Sequence, residues 1–318
     1  MRKSGLIFVS ILALLFGSCR KNNRMTVGSV IFDENGEWFT EAIYGIRAGA
    51  RDKGVYLVET NSHYDVNLEK DLVQDHIKNR ASAIIICPID YGASGKIVSD
   101  VQKMNVPVVT WNTIVYPPPS AQVIVDSKKL GSATGEYLVK YFEANKINDL
   151  KTALVTNDLY SVAIDRRTGF LESVKPLLDD GTLEIACEIK AELREESKVA
   201  IRKMISENPG IGLIWCWNQT TLLAAIDVLK QMARTDILIA GVDMSMSIAR
   251  EMLGNEVKVL AVTTQQPYQM GYDAVSCAVD AALGKKIEPV VVVPVITYTK
   301  DDQKALLEYI KSHSKFEK

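Results

Sequence analysis

The sequence predicts an α/β protein with two similar lobes, each built on a doubly wound parallel sheet. Three observations lead to this fold class. From Met25 onward, apolar and β-branched runs alternate with stretches of helical periodicity, which is typical of parallel strands linked by crossover helices. The same alternation starts again in the second half of the chain. The length of 318 residues is also enough for two domains, at about 150 residues per domain.

The first half of the chain contains several strand candidates. Some are hydrophobic along their whole length, as expected of strands buried on both faces of a sheet. The candidates are Thr26–Phe32, Val55–Thr60, Ala83–Pro88, Val106–Trp111 and Gln122–Asp126. Amphipathic helices are expected between them, because residues such as Phe39, Ile43 and Ile46 share one helical face.

The second half repeats this pattern and then adds further elements. Strands are expected at Thr152–Asn157, Leu183–Glu188, Gly212–Asn218, Ile237–Asp243 and Val257–Thr264, and in a run from Val290 to Val295 that continues to Tyr298. Helices are expected at Val162–Leu178, Lys198–Glu207, Leu222–Met232, Tyr268–Leu283 and from Asp301 to about His313.

Polar breaks at Asp126-Ser127, Thr264-Gln265 and Pro294 are natural points for the chain to cross between the lobes. The expected division is residues 26–126 plus 265–293 for lobe 1 and residues 127–264 plus 294–318 for lobe 2. Three short crossings would form a hinge.

The first 18 residues have the features of an export signal. Arg2 and Lys3 precede an apolar run from Leu6 to Phe16, which is about half the ~20 residues needed to span a membrane. The segment ending in Gly17-Ser18-Cys19 resembles a bacterial lipobox, so residues 1–18 are predicted to be removed and Cys19 to carry a lipid. Residues 19–25 would then be a tether. The alternative is a simple cleavable signal followed by an incidental cysteine. Four other cysteines, Cys87, Cys187, Cys216 and Cys277, lie in apolar runs and are predicted to be buried free thiols.

Composition and motifs argue against several classes of function. The chain has 37 Lys+Arg against 39 Asp+Glu and no basic block, so a nucleic-acid partner is not expected. The three histidines lie far apart and form no metal-ligand spacing. The chain has neither a GxSxG nucleophile motif nor a GxxxxGK[ST] loop, so no enzyme activity and no cofactor are predicted.

Aromatic, amide and charged side chains gather just after the predicted strands, where open α/β sheets bind ligands. Candidate ligand contacts are Trp38, Phe39, Trp111, Asn112, Asn218 and Asp243. This mixture suits a neutral ligand with many hydroxyl groups. Each residue also has a purely structural interpretation. Trp38 and Phe39 could pack in the core, Asn218 and Asp243 could cap helices, and Arg166 could be a solvated helix charge.

Taken in order, these residues resemble the ribose/galactose-type periplasmic binding proteins, the type I solute-binding family of bacterial ABC importers. The resemblance rests on Gly36-Glu37-Trp38-Phe39, Val106-Pro107-Val108-Val109-Thr110-Trp111-Asn112, Arg166-Arg167-Thr168-Gly169-Phe170, Asn218, Ala240-Gly241-Val242-Asp243 and Thr264-Gln265-Gln266-Pro267. It implies the periplasmic binding protein-like I fold and adds Arg166 and the hinge residue Gln265 to the expected ligand contacts.

The chain also departs from this family. Sugar-binding members commonly carry an Asp-Arg pair where this chain has Asn112-Thr113, and an asparagine where it has Cys87. A charge-assisted clamp on sugar hydroxyls is therefore missing from lobe 1. A less common sugar, a polyol or a sugar-derived signal fits this pattern.

The resemblance implies an exported, lipid-anchored monomer in the periplasm or on the outer face of the cytoplasmic membrane. It would capture a small sugar-like ligand between closing lobes and deliver it to an ABC permease. The alternative is a sensing partner of a membrane histidine kinase or chemoreceptor, with a sugar-derived signal or a nucleoside as ligand. A related family of transcription regulators shares the fold, but those proteins need an N-terminal helix-turn-helix, and this chain has a signal sequence there.

Overall fold

The computed structural model describes residues 24–316, so the predicted signal and the candidate lipidation site at Cys19 lie outside the described residues. The first part of the chain alternates strands and helices as expected. Its elements are β1 (Thr26–Ile31), α1 (Gly36–Asp52), β2 (Tyr56–Asn61), α2 (Val66–Lys78), β3 (Ala83–Ile86), α3 (Ala93–Gln102), β4 (Val108–Trp111) and β5 (Ala121–Ile124).

The rest of the chain forms the second set of elements and then returns to the first. These elements are α4 (Ser127–Asn145), β6 (Leu150–Thr156), α5 (Ser161–Ser173), α6 (Lys175–Asp179), β7 (Leu183–Lys190), α7 (Arg194–Glu207), β8 (Ile211–Cys216), α8 (Gln219–Gln231), β9 (Leu238–Val242), α9 (Met246–Leu253), β10 (Lys258–Thr264), α10 (Pro267–Ala282), β11 (Val290–Val292), β12 (Ile296–Thr299) and α11 (Gln303–His313). A short 3₁₀ turn at Ser314–Phe316 follows α11.

Two six-stranded sheets with matching strand orders form the framework. The first has the order β11-β5-β4-β3-β1-β2 and the second the order β12-β10-β9-β8-β6-β7. Neighbouring strands are parallel except at one edge of the second sheet, where β12 runs antiparallel to β10. The predicted fold class, two doubly wound lobes, is confirmed. Because the orders match, β4 and β9 hold equivalent positions in lobe 1 and lobe 2.

The chain passes between the sheets three times, after β5, after β10 and between β11 and β12. Two of these segments contact each other, because Nε2 of Gln266 donates to the carbonyl oxygen of Pro294 at 2.6 Å. The run predicted from Val290 to Tyr298 is therefore not one strand. It divides at Val293–Val295 into β11 and β12, which belong to different sheets.

Two helices differ from the sequence-based expectation. The predicted helix Val162–Leu178 is broken into α5 and α6 near Val174, and Pro176 lies in the first turn of α6, where its missing N–H costs nothing. Helix α4 was not predicted, because its buried face is rich in small residues that give a weak apolar signal. Gly131 on that face is an example: a Cβ atom there would lie 1.7 Å from the carbonyl oxygen of Arg166.

Each sheet is covered by hydrophobic residues on both faces. Ile85 and Val109 represent the core on one face of the first sheet, and Ile84 and Ile86 the core on the other. Of the four described cysteines, all free, Cys87 and Cys216 are buried as predicted, while Cys187 and Cys277 are only partly buried. In residues 24–316 no helix combines the length and the apolar character that a membrane span requires.

Candidate functional site

A cleft lies between the carboxyl ends of the strands of the two sheets. Its central cavity measures about 370 Å³ and has walls from both lobes, including Trp38 and Asn112 on one side and Arg166 and Asn218 on the other. A compartment of about 690 Å³ adjoins it on the side of the crossings. The two cavities share Asn112, Val162, Arg166 and Gln265 as lining residues, so they are adjacent parts of the cleft.

Lobe 1 supplies an aromatic wall. Trp38 and Phe39, in the first turns of α1, both line the central cavity, with their rings edge to face at 4.9 Å. Phe32, after β1, adds an edge-to-face contact with Phe39 at 5.2 Å. Trp38 is partly exposed, so its ring combines a core contact with a face available to a ligand.

Trp111 does not flank the cleft as expected. Its side chain is completely buried, because it is the last residue of β4 and its ring lies inside the core beneath α1. It stacks against Trp38 with ring centroids 6.1 Å apart and an interplanar angle of 17°. The structure therefore gives Trp111 a supporting position behind the cleft wall.

Lobe 2 supplies a buried charged network built around Asp243, directly after β9. One carboxylate oxygen of Asp243 accepts from Arg166 Nη1 at 3.0 Å, and the other accepts from Gln265 Nε2 at 2.7 Å. Arg166 Nη1 also donates to the carbonyl oxygen of Trp217 at 2.9 Å. The solvated-charge interpretation of Arg166 is wrong, since Arg166 is 5% exposed and Asp243 is 6% exposed.

Close helix packing brings Arg166 to this place. A Cβ atom on Gly169 would lie 1.9 Å from the carbonyl oxygen of Lys128 in α4, so only glycine permits the approach of α5 to α4. Together with Gly131 on α4, this contact fixes the position of α5. Arg166, one turn before Gly169, then reaches over the ends of the strands.

Asn112 and Asp243 occupy equivalent positions after β4 and β9, and both have a left-handed backbone, with φ of 67° and 71°. Asparagine and aspartate tolerate this conformation better than most residues, and such residues often occur at functional sites. The Asn112 amide lies in the cleft wall, with Nδ2 3.8 Å from the Cys87 sulfur. Burial raises the pKa of the Cys87 thiol, which keeps it neutral.

The capping interpretations have different outcomes for the two residues. Asn218 is the N-cap of α8, since its side-chain oxygen accepts from the Thr221 backbone N–H at 2.9 Å, and its amide also lines the cleft. Asp243 is not a cap. Ser245 takes that role for α9 by accepting from the Ile248 backbone N–H at 3.3 Å.

Cleft residues that the sequence reasoning missed include Tyr64 and Trp217. Tyr64 follows β2 and donates from its hydroxyl to Asp33 at 2.8 Å, and burial together with this carboxylate raises its pKa well above the ordinary value. Trp217 follows β8, and its ring stacks on Tyr160 at 5.9 Å. The position of Trp217 after a strand was a usable signal, whereas Tyr64 lies in a loop with no distinguishing pattern.

The cleft can therefore bind oxygen-rich neutral molecules. Among residues 24–316, Nε of Arg166 and Nε1 of Trp38 are buried donors for which no hydrogen-bond partner is present, and both residues line the central cavity. The charge of Arg166 is compensated by Asp243, so the lobe 2 wall has no excess positive charge for a phosphate. Within the same described range, no group of three or more His, Cys, Asp or Glu side chains is arranged to hold a metal ion.

Comparison with known proteins gives consistent matches over most of the chain. The family model for the periplasmic binding protein domain matches residues 27–286. The ABC transporter periplasmic-binding protein YphF of Escherichia coli is 26% identical over 306 residues, covering 92% of both chains. The ribose import binding protein RbsB of Bacillus subtilis is 22% identical and covers 85% of both. Among solved structures, a carbohydrate transporter solute-binding protein from Agrobacterium radiobacter in complex with D-arabinose superposes with a TM-score of 0.78 at 20% identity, covering 91% of this chain and 99% of that one.

Proposed function

The chain belongs to the periplasmic binding protein family, and from this we propose that it captures a small neutral ligand with several hydroxyl groups between its lobes and delivers it to an ABC permease. The observation that carries this proposal is the pairing of the two walls of the cleft. An aromatic wall with Trp38 faces a charge-balanced wall of Arg166 and Asp243. Aromatic faces pack on the C–H faces of sugar rings, while the polar wall pairs with hydroxyl groups.

The proposed ligand is a sugar or a polyol. Two of the relatives compared above are named for ribose import or were solved with D-arabinose, which supports this class. In lobe 1, Asn112 occupies the position at which sugar-binding members commonly carry the Asp of an Asp-Arg pair. The ligand would therefore form hydrogen bonds with a neutral amide at this position. In lobe 2, Arg166 Nε would donate and Asp243 would accept. Phe39, Asn218 and Gln265 are the further proposed contacts, and Trp111 acts through Trp38.

Closure of the two lobes around the ligand is part of the proposal. The three crossings support a hinge at residues near 126, 265 and 294, with residues 26–126 plus 265–293 as lobe 1 and residues 127–264 plus 294–318 as lobe 2. Hinge closure buries the ligand and strengthens its polar contacts, because water is excluded from them.

We further propose export of the chain, with removal of residues 1–18 and lipid attachment at Cys19. The charged start, the apolar run and Gly17-Ser18-Cys19 support it. Delivery to a permease is favoured over the sensing role, because the relatives named above are import and transporter proteins.

A screen of sugars, polyols and nucleosides for an increase in melting temperature tests the ligand class, because a ligand that binds only the folded state raises its stability. We expect a hit among neutral sugars or polyols and none among their phosphate esters. Solution scattering with that hit should then give a smaller radius of gyration. A complete screen with hits only among phosphate esters or nucleosides would contradict the proposed ligand.

A further inference from the structure

One side chain of lobe 1 makes direct contact with a helix of lobe 2 outside the central cavity. Glu37, in the first turn of α1, points its carboxylate at the start of α9. Its Oε2 accepts from the backbone N–H of Met246 at 2.9 Å and of Ser247 at 3.4 Å, and its Oε1 accepts from the hydroxyl of Ser247.

This contact satisfies groups that α9 cannot satisfy by itself. The first N–H groups of a helix lack partners within the helix. In α9, Ser245 accepts from the N–H of Ile248, while the N–H groups of Met246 and Ser247 donate to the carboxylate from the opposite lobe. A negative charge at this end of a helix is also favoured by the helix dipole. The hydrogen bonds are charge-assisted and therefore among the stronger ones in proteins.

The position of the contact separates it from the ligand. Gly36 lines the central cavity and also a second interlobe cavity of about 480 Å³, which is lined by Glu37, Ser245 and Met246. Trp38 and Asp243 face the first of these cavities, so the contact of Glu37 lies at the boundary between the two. On the same face of α1, one turn later, Oε1 of Glu41 lies 3.1 Å from Nε2 of His313 in α11.

We propose that Glu37 is an interlobe latch, a positioning residue that holds the lobes together by capping α9 and so sets the fraction of closed protein without touching the ligand. This inference concerns the regulation of the proposed binding site and rests on the proposed function. When the lobes open, the N–H groups of Met246 and Ser247 must donate to water instead. Opening therefore breaks their charge-assisted hydrogen bonds to Glu37. Any ligand that binds the closed arrangement then gains apparent affinity in proportion to the closed fraction.

The test compares interlobe distances in the ligand-free, mature protein in detergent. One spin label is placed on the exposed face of α3 in lobe 1 and one on that of α7 in lobe 2, with Cys187 and Cys277 replaced by serine. We expect Glu37→Ala to lower the ratio of closed to open protein about tenfold, in line with the loss of a charged hydrogen-bonding partner. Glu37→Gln keeps one acceptor and should have a smaller effect.

Glu34→Gln is the matched control, because it removes the same charge from an exposed position three residues earlier. Glu37 also favours α1 through its place in the first turn, but that role changes stability and not the interlobe distance. If Glu37→Ala gives the same distance distribution as Glu34→Gln, the latch is refuted. Adding Ser247→Ala to Glu37→Ala should change nothing further, and an additional shift would also contradict the proposal. No ligand is used, so the outcome is independent of the ligand screen.

Discussion

Replacing Asp243 tests the chemistry of the lobe 2 wall, and the structure shows which replacement is informative. Asp243→Ala removes the charged acceptor of Arg166, which keeps the carbonyl oxygen of Trp217, and the acceptor of Gln265. Breaking a buried ion pair by deleting one partner costs about 3–5 kcal/mol, and alanine in a left-handed backbone adds roughly 1–2 kcal/mol. A loss of binding in this variant would therefore be inseparable from a loss of stability.

Asp243→Asn is the sharper change. Asparagine tolerates the φ of 71° at this position, its side-chain oxygen can still accept from Arg166, and its amide nitrogen can donate to a Gln265 side chain turned by 180°. What is lost is the negative charge. A hydrogen bond to a charged group contributes about 1.5–3 kcal/mol against 0.5–1.5 for a neutral one. Because the buried charge of Arg166 also loses its counter-charge, we expect stability to fall by about 3 kcal/mol, the lower end of the cost of breaking a buried ion pair, and, where a ligand hydroxyl donates to the same carboxylate, affinity to fall about tenfold.

The assay pairs calorimetric titration of the ligand identified by the screen with urea unfolding of the same protein. Asp179→Asn is the control, since it removes a carboxylate of lobe 2 from an exposed ion pair with Lys175, where such pairs contribute little. A lower stability with unchanged affinity would make Asp243 a purely structural partner of Arg166. Wild-type values for both quantities would refute the importance of the network altogether.

Three further predictions concern other parts of the chain. Trp38→Ala should weaken ligand binding more than Trp111→Phe, measured by calorimetry on folded variants, and the reverse order would place the stacking face on Trp111. Burial raises the pKa of Glu69 above its ordinary value of 4.5, so the carboxyl binds a proton more tightly in the folded than in the unfolded protein, and the folded protein loses stability as the pH rises above 4.5. In urea unfolding, Glu69→Gln should therefore lose less stability than the wild type between pH 5 and pH 8. Equal losses in the two proteins would contradict this. Wild-type protein should enter the detergent phase on fractionation whereas Cys19→Ala should accumulate as precursor, and a wild-type chain of full length in the cytosol would disprove lipidation.

The sheets were predictable because their signals are strong and local. Apolar runs such as Ala83–Ile86 are buried on both faces, and a run of this type has few other stable environments. Helix α4 was not predictable in this way, because Gly131 and Gly135 allow its close approach to α5 and add no apolar side chain to the helical pattern. The division of the run at residues 290–299 into two strands of different sheets depends on the crossing at Val293–Val295, which is a tertiary feature.

The site residues show a similar limit. Trp38, Asn112 and Asp243, chosen for their position after a strand, do line the central cavity, since that position follows from topology, while their contact with a ligand stays a prediction. Position after a strand did not locate Trp111, because Trp111 is still a strand residue, the last of β4, and its side chain packs in the core with residues of α1. The contact of Glu37 with α9 joins residues more than 200 positions apart in the sequence, and a contact of this kind cannot be predicted from a local sequence pattern.

The matching strand orders explain how one chain makes a cleft with two different walls. Equivalent positions after β4 and β9 bring Asn112 and Asp243 to the same cavity from the two lobes, each with a left-handed backbone. In lobe 2 the carboxylate of Asp243 forms an ion pair with Arg166, so the two charges of this wall compensate each other. Lobe 1 carries an amide and aromatic rings at the same level. Without an ionic clamp after β4, lobe 1 still brings one carboxylate to the central cavity, that of Asp33, which accepts from the Tyr64 hydroxyl. A neutral ligand that presents hydroxyl groups toward Arg166 and Asp243 and an apolar ring face toward Trp38 would match both walls, whereas an anion would find the charge of Arg166 already paired with Asp243.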